Sequence, residues 1–367
     1  MLFLQVQLYL QGRGVSTFWI GMVATLTAAG MLVGGLMWGT ISDHVPRKRL
    51  LCLLALGLTV TIAVLAFLPP TNVVLASSFF RSLFFSGIGA VTIAVISGSS
   101  RVERRGKNLS YVSSARSLGF ALGAASSGVL LELLGYRGAF AVATALPLLA
   151  VVTLLWLPAE NPITRVQRSS AWREAIKRGL VDLYIALALR QMAIFGAFAL
   201  LVVYMDSIGI PPSLMGVVAA SNTITQVLAL IGFGRLADRI GRRRVFMFGL
   251  ALSVITPLVL VVLPNLAGMA LGYVTLGIGF SSLHVGATAH IGDRVPEEKQ
   301  GQMLGLYESS RGLGGLIGPA LAGAIIPSVG FTGMFLVMSG VAALGFLLML
   351  CGRIVRVRRT AAASSGA

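Results

Sequence analysis

The chain has 367 residues, 56% of them hydrophobic and only 11% charged, with a formal net charge of +17 and a mean hydropathy of +0.89. A soluble domain carries roughly 25% charged residues, and a water-soluble chain of this length has no interior large enough for so much apolar surface. The composition excludes a soluble globular class and points to a bilayer as the solvent.

A helix needs about 20 apolar residues to cross a bilayer. In chain order, such stretches lie near 17–42, 48–68, 73–98, 108–134, 138–157, 183–206, 212–236, 244–263, 266–290, 302–327 and 331–352. The first ten residues, MLFLQVQLYL, are apolar but too short to cross. They lack the charged start and small-residue cleavage site of a signal peptide.

The positive charge is not spread evenly. Between successive spans the loops alternate. One set holds Arg47, Lys48 and Arg49; Arg101, Arg104, Arg105 and Lys107; Arg165, Arg168, Arg173, Lys177 and Arg178; Arg235, Arg239, Arg242, Arg243 and Arg244; Arg294 and Lys299; and Arg353, Arg356, Arg358 and Arg359. The other set holds only Arg13 and Arg137. Such alternation is the positive-inside rule, so the basic loops and the C-terminus are expected on the cytoplasmic side. A nucleic-acid site would gather its charge on one domain, and no nucleic-acid partner is expected. Cys52 and Cys351 stand far apart in or beside apolar spans. They offer neither a disulfide framework nor a metal site and read as packing residues.

The chain repeats itself with an offset of 195 residues. Tyr9, Gly14, Gly21, Gly39, Asp43, Arg47 and Arg49 match Tyr204, Gly209, Gly216, Gly234, Asp238, Arg242 and Arg244. Further on, Gly106, Arg116, Gly119, Gly123, Gly128, Gly135, Gly138 and Phe140 match Gly301, Arg311, Gly314, Gly318, Gly323, Gly330, Gly333 and Phe335. The second copy holds six spans, so the first is expected to hold six as well. The opening residues are then the outer end of a helix whose inner half is not in the sequence. A start codon assigned too late, or a shortened chain, would explain this. A genuine eleven-span protein would invert one half and contradict the charge alternation. The expected fold is an all-α polytopic membrane protein of two pseudo-symmetric six-helix bundles: nominally twelve helices, eleven complete plus a partial first. The bundles are expected at 1–157 and 179–352, joined by a polar, basic cytoplasmic linker at 158–178 and followed by a basic cytoplasmic tail at 353–367. Two like halves are a signature of secondary transporters, with the substrate site between them near the midplane.

Gly39-Thr-Ile-Ser-Asp43-His-Val-Pro46-Arg47-Lys48-Arg49 has its copy in Gly234-Arg-Leu-Ala-Asp238-Arg-Ile-Gly241-Arg242-Arg243-Arg244. This pattern, twice at corresponding places, resembles the signature loop of the major facilitator superfamily, and the resemblance covers essentially the whole chain. The glycines are expected to let neighbouring helices approach. The resemblance implies that Asp43, Asp238 and the basic triplets form gating loops which latch the cytoplasmic side and break during the cycle. The plainer alternative is that the triplets only set topology. Gly314, Gly318, Pro319 and Gly323 resemble the family's glycine–proline motif, which in proton-coupled exporters lies in helix 5. Here the corresponding Gly119, Gly123 and Gly128 stand with Ala124 where proline is usual, a departure that weakens an antiporter reading. Packing and hinge roles are expected for these residues.

Charges inside spans are costly and therefore functional candidates. Arg81, in a partial match to the family's fourth-helix motif, is placed to influence a proton-carrying acid or an anionic substrate, or else to snorkel outward. Glu308 and Arg311 share a helix face. Arg116 copies Arg311, while Ser113 stands where Glu308 would be. An acid in an inner cavity can carry a coupling proton if burial raises its pKa; a purely structural Glu308–Arg311 pair is the alternative. Arg190 and Gln191 are mid-span cavity candidates. Asn222 and Gln226, in the polar run Ser221–Gln226, offer either hydrogen bonds to substrate or glue between helices. Phe84, Phe85, Met192 and Phe195 form an apolar wall or simply pack.

There is no G-x-x-x-x-G-K-[ST] phosphate loop, no metal spacing, and no catalytic triad among three histidines. An enzyme, a channel and a receptor are therefore disfavoured, and no cofactor or metal is expected. The family likeness implies a monomeric transporter in the cytoplasmic membrane. It would couple protons to efflux of a small organic or drug-like molecule by alternating access. The second reading is uptake or exchange of a small organic anion.

Overall fold

In a computed structural model of the chain, residues 2–42, 44–99, 102–156 and 171–365 are described. Every regular element among them is helical: α1 (Leu2–Gly12), α2 (Thr17–Ile41), α3 (Arg47–Ala63), α4 (Thr71–Ser99), α5 (Val102–Leu155), α6 (Ala171–Lys177), α7 (Val181–Ala199), α8 (Leu201–Ser207), α9 (Pro212–Ile240), α10 (Arg242–Val262), α11 (Leu266–Gly292) and α12 (Glu297–Ser365). Asp43 and most of the expected linker fall outside the described residues; the linker's last part forms α6.

The helix ends follow local chemistry. After α3 a 3-10 turn over Val64–Phe67 closes on Leu68 with φ 54°, and Pro69 and Pro70 cannot carry the helix on. Asn265 caps α11 by accepting from the Gly268 amide at 3.0 Å, satisfying one orphan donor. Two long helices bend where the repeat places a glycine: α5 at Gly135 (φ 64°, ψ −177°) and α12 at Gly330 (φ 68°, ψ −177°). Only glycine adopts this conformation at low cost. Among the described residues nine helices are long and apolar enough to cross a membrane. Cutting Tyr111–Leu155 and Gln302–Cys351 at their glycine corners turns nine into eleven, and α1 adds a short twelfth segment.

Large apolar side chains on these helices point outward: Leu122, Leu149, Leu228 and Leu344 are all more than half exposed. Outward-facing leucine on a helix whose backbone is internally bonded is what a hydrocarbon solvent requires. Cys351 is likewise exposed and only Cys52 is half-buried, so packing describes the second cysteine poorly.

The chain forms two compact units, residues 1–167 with 199–223, and 168–198 with 224–367. In the first, α2 packs on α4, and α3 on α4 and α5. A Cβ on Gly30 or Gly34 would collide with backbone and serine oxygens of the segment 79–86, so this small-xxx-small pair sets the close approach. Residues 199–223 join this unit in part through the fully buried Gln7, while the equally buried Gln5 ties α1 to α5. Gln7 Nε2 donates to the Ala199 carbonyl, and Gln5 Nε2 to the Ser127 carbonyl at 3.1 Å. Gln11 donates to the Asp206 carboxylate at 2.7 Å, and Glu132 accepts from the Ser213 amide at 2.9 Å.

In the second unit, α10 packs against α11 and α12 around Leu183, Tyr184, Leu187, Phe246, Leu250, Leu283 and Met303. Gly249 and Gly286 permit the α10–α11 contact: added methyls would press on Leu283 and on the Phe246 backbone.

Candidate functional site

The second unit carries a polar layer inside its spans. At 1.5 Å per residue, Arg190 on α7, Ser253 on α10, Phe280 and His284 on α11, and Glu308 and Arg311 on α12 lie about 12–21 Å from the basic ends of their helices. That is near the middle of a hydrocarbon core of about 30 Å.

Arg190 is buried, and so is Gln191. The Arg190 guanidinium donates through Nε to Ser253 Oγ at 3.0 Å and through Nη1 to Gln191 Oε1 at 2.9 Å, while Nη2 is buried without a partner. Ser253 itself donates to the Gly249 carbonyl at 2.8 Å. One turn beyond this helix crossing, Arg311 Nη1 reaches both carboxylate oxygens of Glu308 at 3.0 Å. The guanidinium carbon lies 5.1 Å from the Phe280 ring centre and 5.5 Å from that of Tyr307, within cation–π range. His284 stacks on Phe280 and its Nδ1 lies 3.1 Å from the Tyr307 hydroxyl. The pair is asymmetric in access. The Glu308 side chain is 61% exposed, the Arg311 side chain 20%. The layer holds two guanidiniums and one carboxylate, the latter paired with Arg311, so among the described residues it keeps one uncompensated positive charge.

Close packing brings Arg190 and Arg311 into one region. A Cβ on Gly314 would collide with the Ala188 carbonyl, and one on Gly318 with that of Met192. These glycines press α12 onto α7. Pro319 follows, buried within α12, and Gly323 is buried too. The first-copy glycines behave differently. Gly128 is buried against the Pro212 carbonyl, but Gly119 faces open space and Gly123 is half-buried. The packing role expected for Gly119 does not hold, because its face of α5 meets no neighbour within 4 Å.

The remaining candidates are scattered. Arg81 is half-buried and about 15 Å from the start of α4, a mid-span depth that outward snorkelling does not explain. Arg116 is exposed. Asn222 and Gln226 are half-buried, and the Gln226 carbonyl accepts from Ser281 at 2.8 Å, a helix-to-helix bond.

Of the gating residues, Gly39 lies in α2, and Arg47 is buried. Lys48 donates to the Leu155 carbonyl at 2.8 Å, and Arg49 is exposed. In the second copy Arg242 pairs with Asp293 and donates to the Ala289 carbonyl. Arg243 donates to the Met349 carbonyl at 2.8 Å, and Asp238 and Arg244 are exposed. Gly234 also faces open space, so close helix approach is not its role.

The sequence carries no signal that pairs Ser253 with Arg190, since 63 residues separate them. Gln5, Gln7 and Gln11 are visible as polar positions in an apolar run, but nothing in the sequence names their partners.

A family model described as Major Facilitator Superfamily matches residues 1–208 and again 183–366. Among curated relatives, Multidrug resistance protein 2 of Bacillus subtilis is 26% identical, covering 83% of this chain and 79% of its own length. The multi-drug resistance efflux pump PmrA of Streptococcus pneumoniae is 22% identical, covering 89% and 85%. Among solved structures, the nucleoside transporter NupG superposes with a TM-score of 0.76 at 12% identity, over 95% of this chain and 96% of that one. A bacterial homologue of the human lysosomal transporter Spinster gives 0.81 at 12% identity, over 96% and 92%.

Proposed function

Because the chain belongs to the major facilitator superfamily and is a multi-pass membrane transporter of small molecules rather than an enzyme, we propose that it exports organic, drug-like compounds in exchange for protons. The observation that carries this reading is the Glu308–Arg311 pair, a reachable carboxylate on a shielded guanidinium at mid-membrane depth. A proton added to a Glu308 oxygen removes its negative charge and weakens the pair. Arg311 keeps its aromatic neighbours Phe280 and Tyr307, so the change falls on the carboxylate side. Loss of that proton to the other side restores the pair and resets the site. Support for the export direction comes from relatives named as multidrug resistance proteins.

The rest of the cycle is part of the same proposal. Bundles 1–157 and 179–352, linked through 158–178, alternate in access as a monomer. The basic loops, the gating residues Asp43 and Asp238, and the C-terminal tail 353–367 lie on the cytoplasmic side of the cell membrane. The test is accumulation of a fluorescent cationic dye in exporter-deficient cells, with and without a protonophore. Expression should lower accumulation, protonophore should restore it, and Glu308→Gln should behave as empty cells. Lower accumulation that ignores the protonophore would remove the proton from the mechanism.

A second reading has its own observation. The unpartnered Arg190 Nη2 and the excess positive charge of the layer suit the carboxylate of an organic anion. On this reading cells expressing the protein would take up a labelled organic anion, and Arg190→Met would abolish that uptake.

A further inference from the structure

We infer that the basic end of the second unit holds an anionic phospholipid. A groove of about 1280 Å³ opens there between the end of α9, the first turns of α10, the last turn of α11 and α12 near 346–350. Its rim carries Arg239, Arg242, Arg243 and Arg244. Two carboxylates, Asp238 and Asp293, also line it, together with His290. Asp293 is engaged by Arg242, and Arg243 is tied to the Met349 carbonyl. Arg239 and Arg244 are exposed, one on either side of Gly241, whose φ of 94° turns the chain between α9 and α10. The rim therefore keeps a net positive charge, with two guanidiniums presented outward.

The wall below the rim is apolar. Phe248, Phe346 and Leu350 line it, and Phe248 and Leu350 are exposed. Phe248 lies about 9 Å from the start of α10 and Ala251 about 14 Å, so the groove runs from headgroup level into the hydrocarbon. A soluble anion would use the arginines and leave the phenylalanine wall empty. A phospholipid matches both, placing phosphate on the rim and an acyl chain on the wall. Basic pockets between transmembrane helices suit anionic headgroups for this reason. The inference needs only the membrane-spanning fold and is independent of what the protein transports.

The test uses the full chain in bilayers of fixed phosphatidylglycerol and phosphatidylcholine content, with Phe248→Trp as reporter. Its signal is the fluorescence difference from the parent chain. Bromine on the acyl chains of one lipid at a time quenches the reporter only where that lipid occupies the groove. Brominated phosphatidylglycerol is expected to quench far more than the brominated choline lipid, by about thirtyfold in apparent affinity for the two exposed arginines at about 1 kcal/mol each. Arg239→Gln with Arg244→Gln should erase the preference, while Arg235→Gln, a charge change outside the lining, should keep it. On the reporter protein with its arginines intact, about 1 M NaCl should also collapse the preference, since the Debye length is then about 3 Å. This arm stands even if the double variant fails to fold. Equal quenching by both lipids would overturn the inference, as would a preference that survives loss of both arginines. Displacement of the lipid by inorganic phosphate at an ionic strength held constant with NaCl would show a free-anion site instead, and would equally overturn it.

Discussion

Arg116 and Arg311 occupy equivalent places in the two copies of the repeat, yet their surroundings differ. Arg311 is mostly shielded, holds Glu308 at 3.0 Å and lies over two aromatic rings. Arg116 is exposed and its copy of Glu308 is Ser113, exposed too. Three residues further on, Gly314 is wedged against α7 while Gly119 meets nothing within 4 Å. The backbone devices show the opposite trend. Gly135 and Gly330 share one conformation to within a few degrees, and Gly14 and Gly209 both have positive φ, 71° and 79°. Duplication has kept the corners of the fold and let the chemistry of the spans diverge, concentrating ionisable groups in the second half.

The largest effect expected from breaking this asymmetry is on transport. Glu308→Gln should abolish proton-driven dye export, while Ser113→Glu, which gives Arg116 an acid three residues away, should leave it unchanged. Equal losses in the two variants would mean the halves share the proton step. The next effect is on stability. Gly314→Ala forces a methyl into the α7 backbone and should cost about 1–3 kcal/mol, the usual penalty of overpacking. Gly119→Ala should be neutral or stabilising by up to about 1 kcal/mol, the helix propensity difference. Thermal melting of the purified protein distinguishes the two. Where the copies agree, the variants should agree as well. Gly135→Ala and Gly330→Ala should each cost about 1–3 kcal/mol of backbone strain, and a large gap between their melting shifts would contradict equivalent corners. The smallest change is Gln11→Ala. It removes a solvent-accessible bond to Asp206 and should lower stability by no more than about 1 kcal/mol.

Much of the fold is readable from the sequence because the bilayer imposes simple lengths. Apolar stretches of about 20 residues mark the spans, Pro69–Pro70 marks a boundary, and the 195-residue offset pairs Gly135 with Gly330. The site is readable only in part. Glu308 and Arg311 are three apart on one helix, so their contact follows from helical geometry. The bond from Arg190 to Ser253 joins α7 to α10, and no periodicity encodes it. Glycine patterns fail in a related way. G-x-x-x-G spacing fixes a face but not whether a neighbour lies on it. Gly30 and Gly34 are packed tightly, whereas Gly119 and Gly234, which look just as suitable, face open space. Clusters of arginine mark topology equally well whether or not a groove lies beneath them, so the rim at Arg239 and Arg244 emerges only from the folded chain.

The glycine corners have a practical consequence for handling this protein. At the helix ends remote from the basic loops, the chain passes between elements through the short segments 13–16, 68–70, 208–211 and 263–265. At Gly135 and Gly330 it passes through a single residue, with helix on both sides. A protease or an inserted epitope meets a turn outside the helices at the first four places and none at the last two. Among the described residues, these four turns are the addresses for topology mapping between the helices they join. Tags placed at either corner would interrupt a helix rather than decorate a loop.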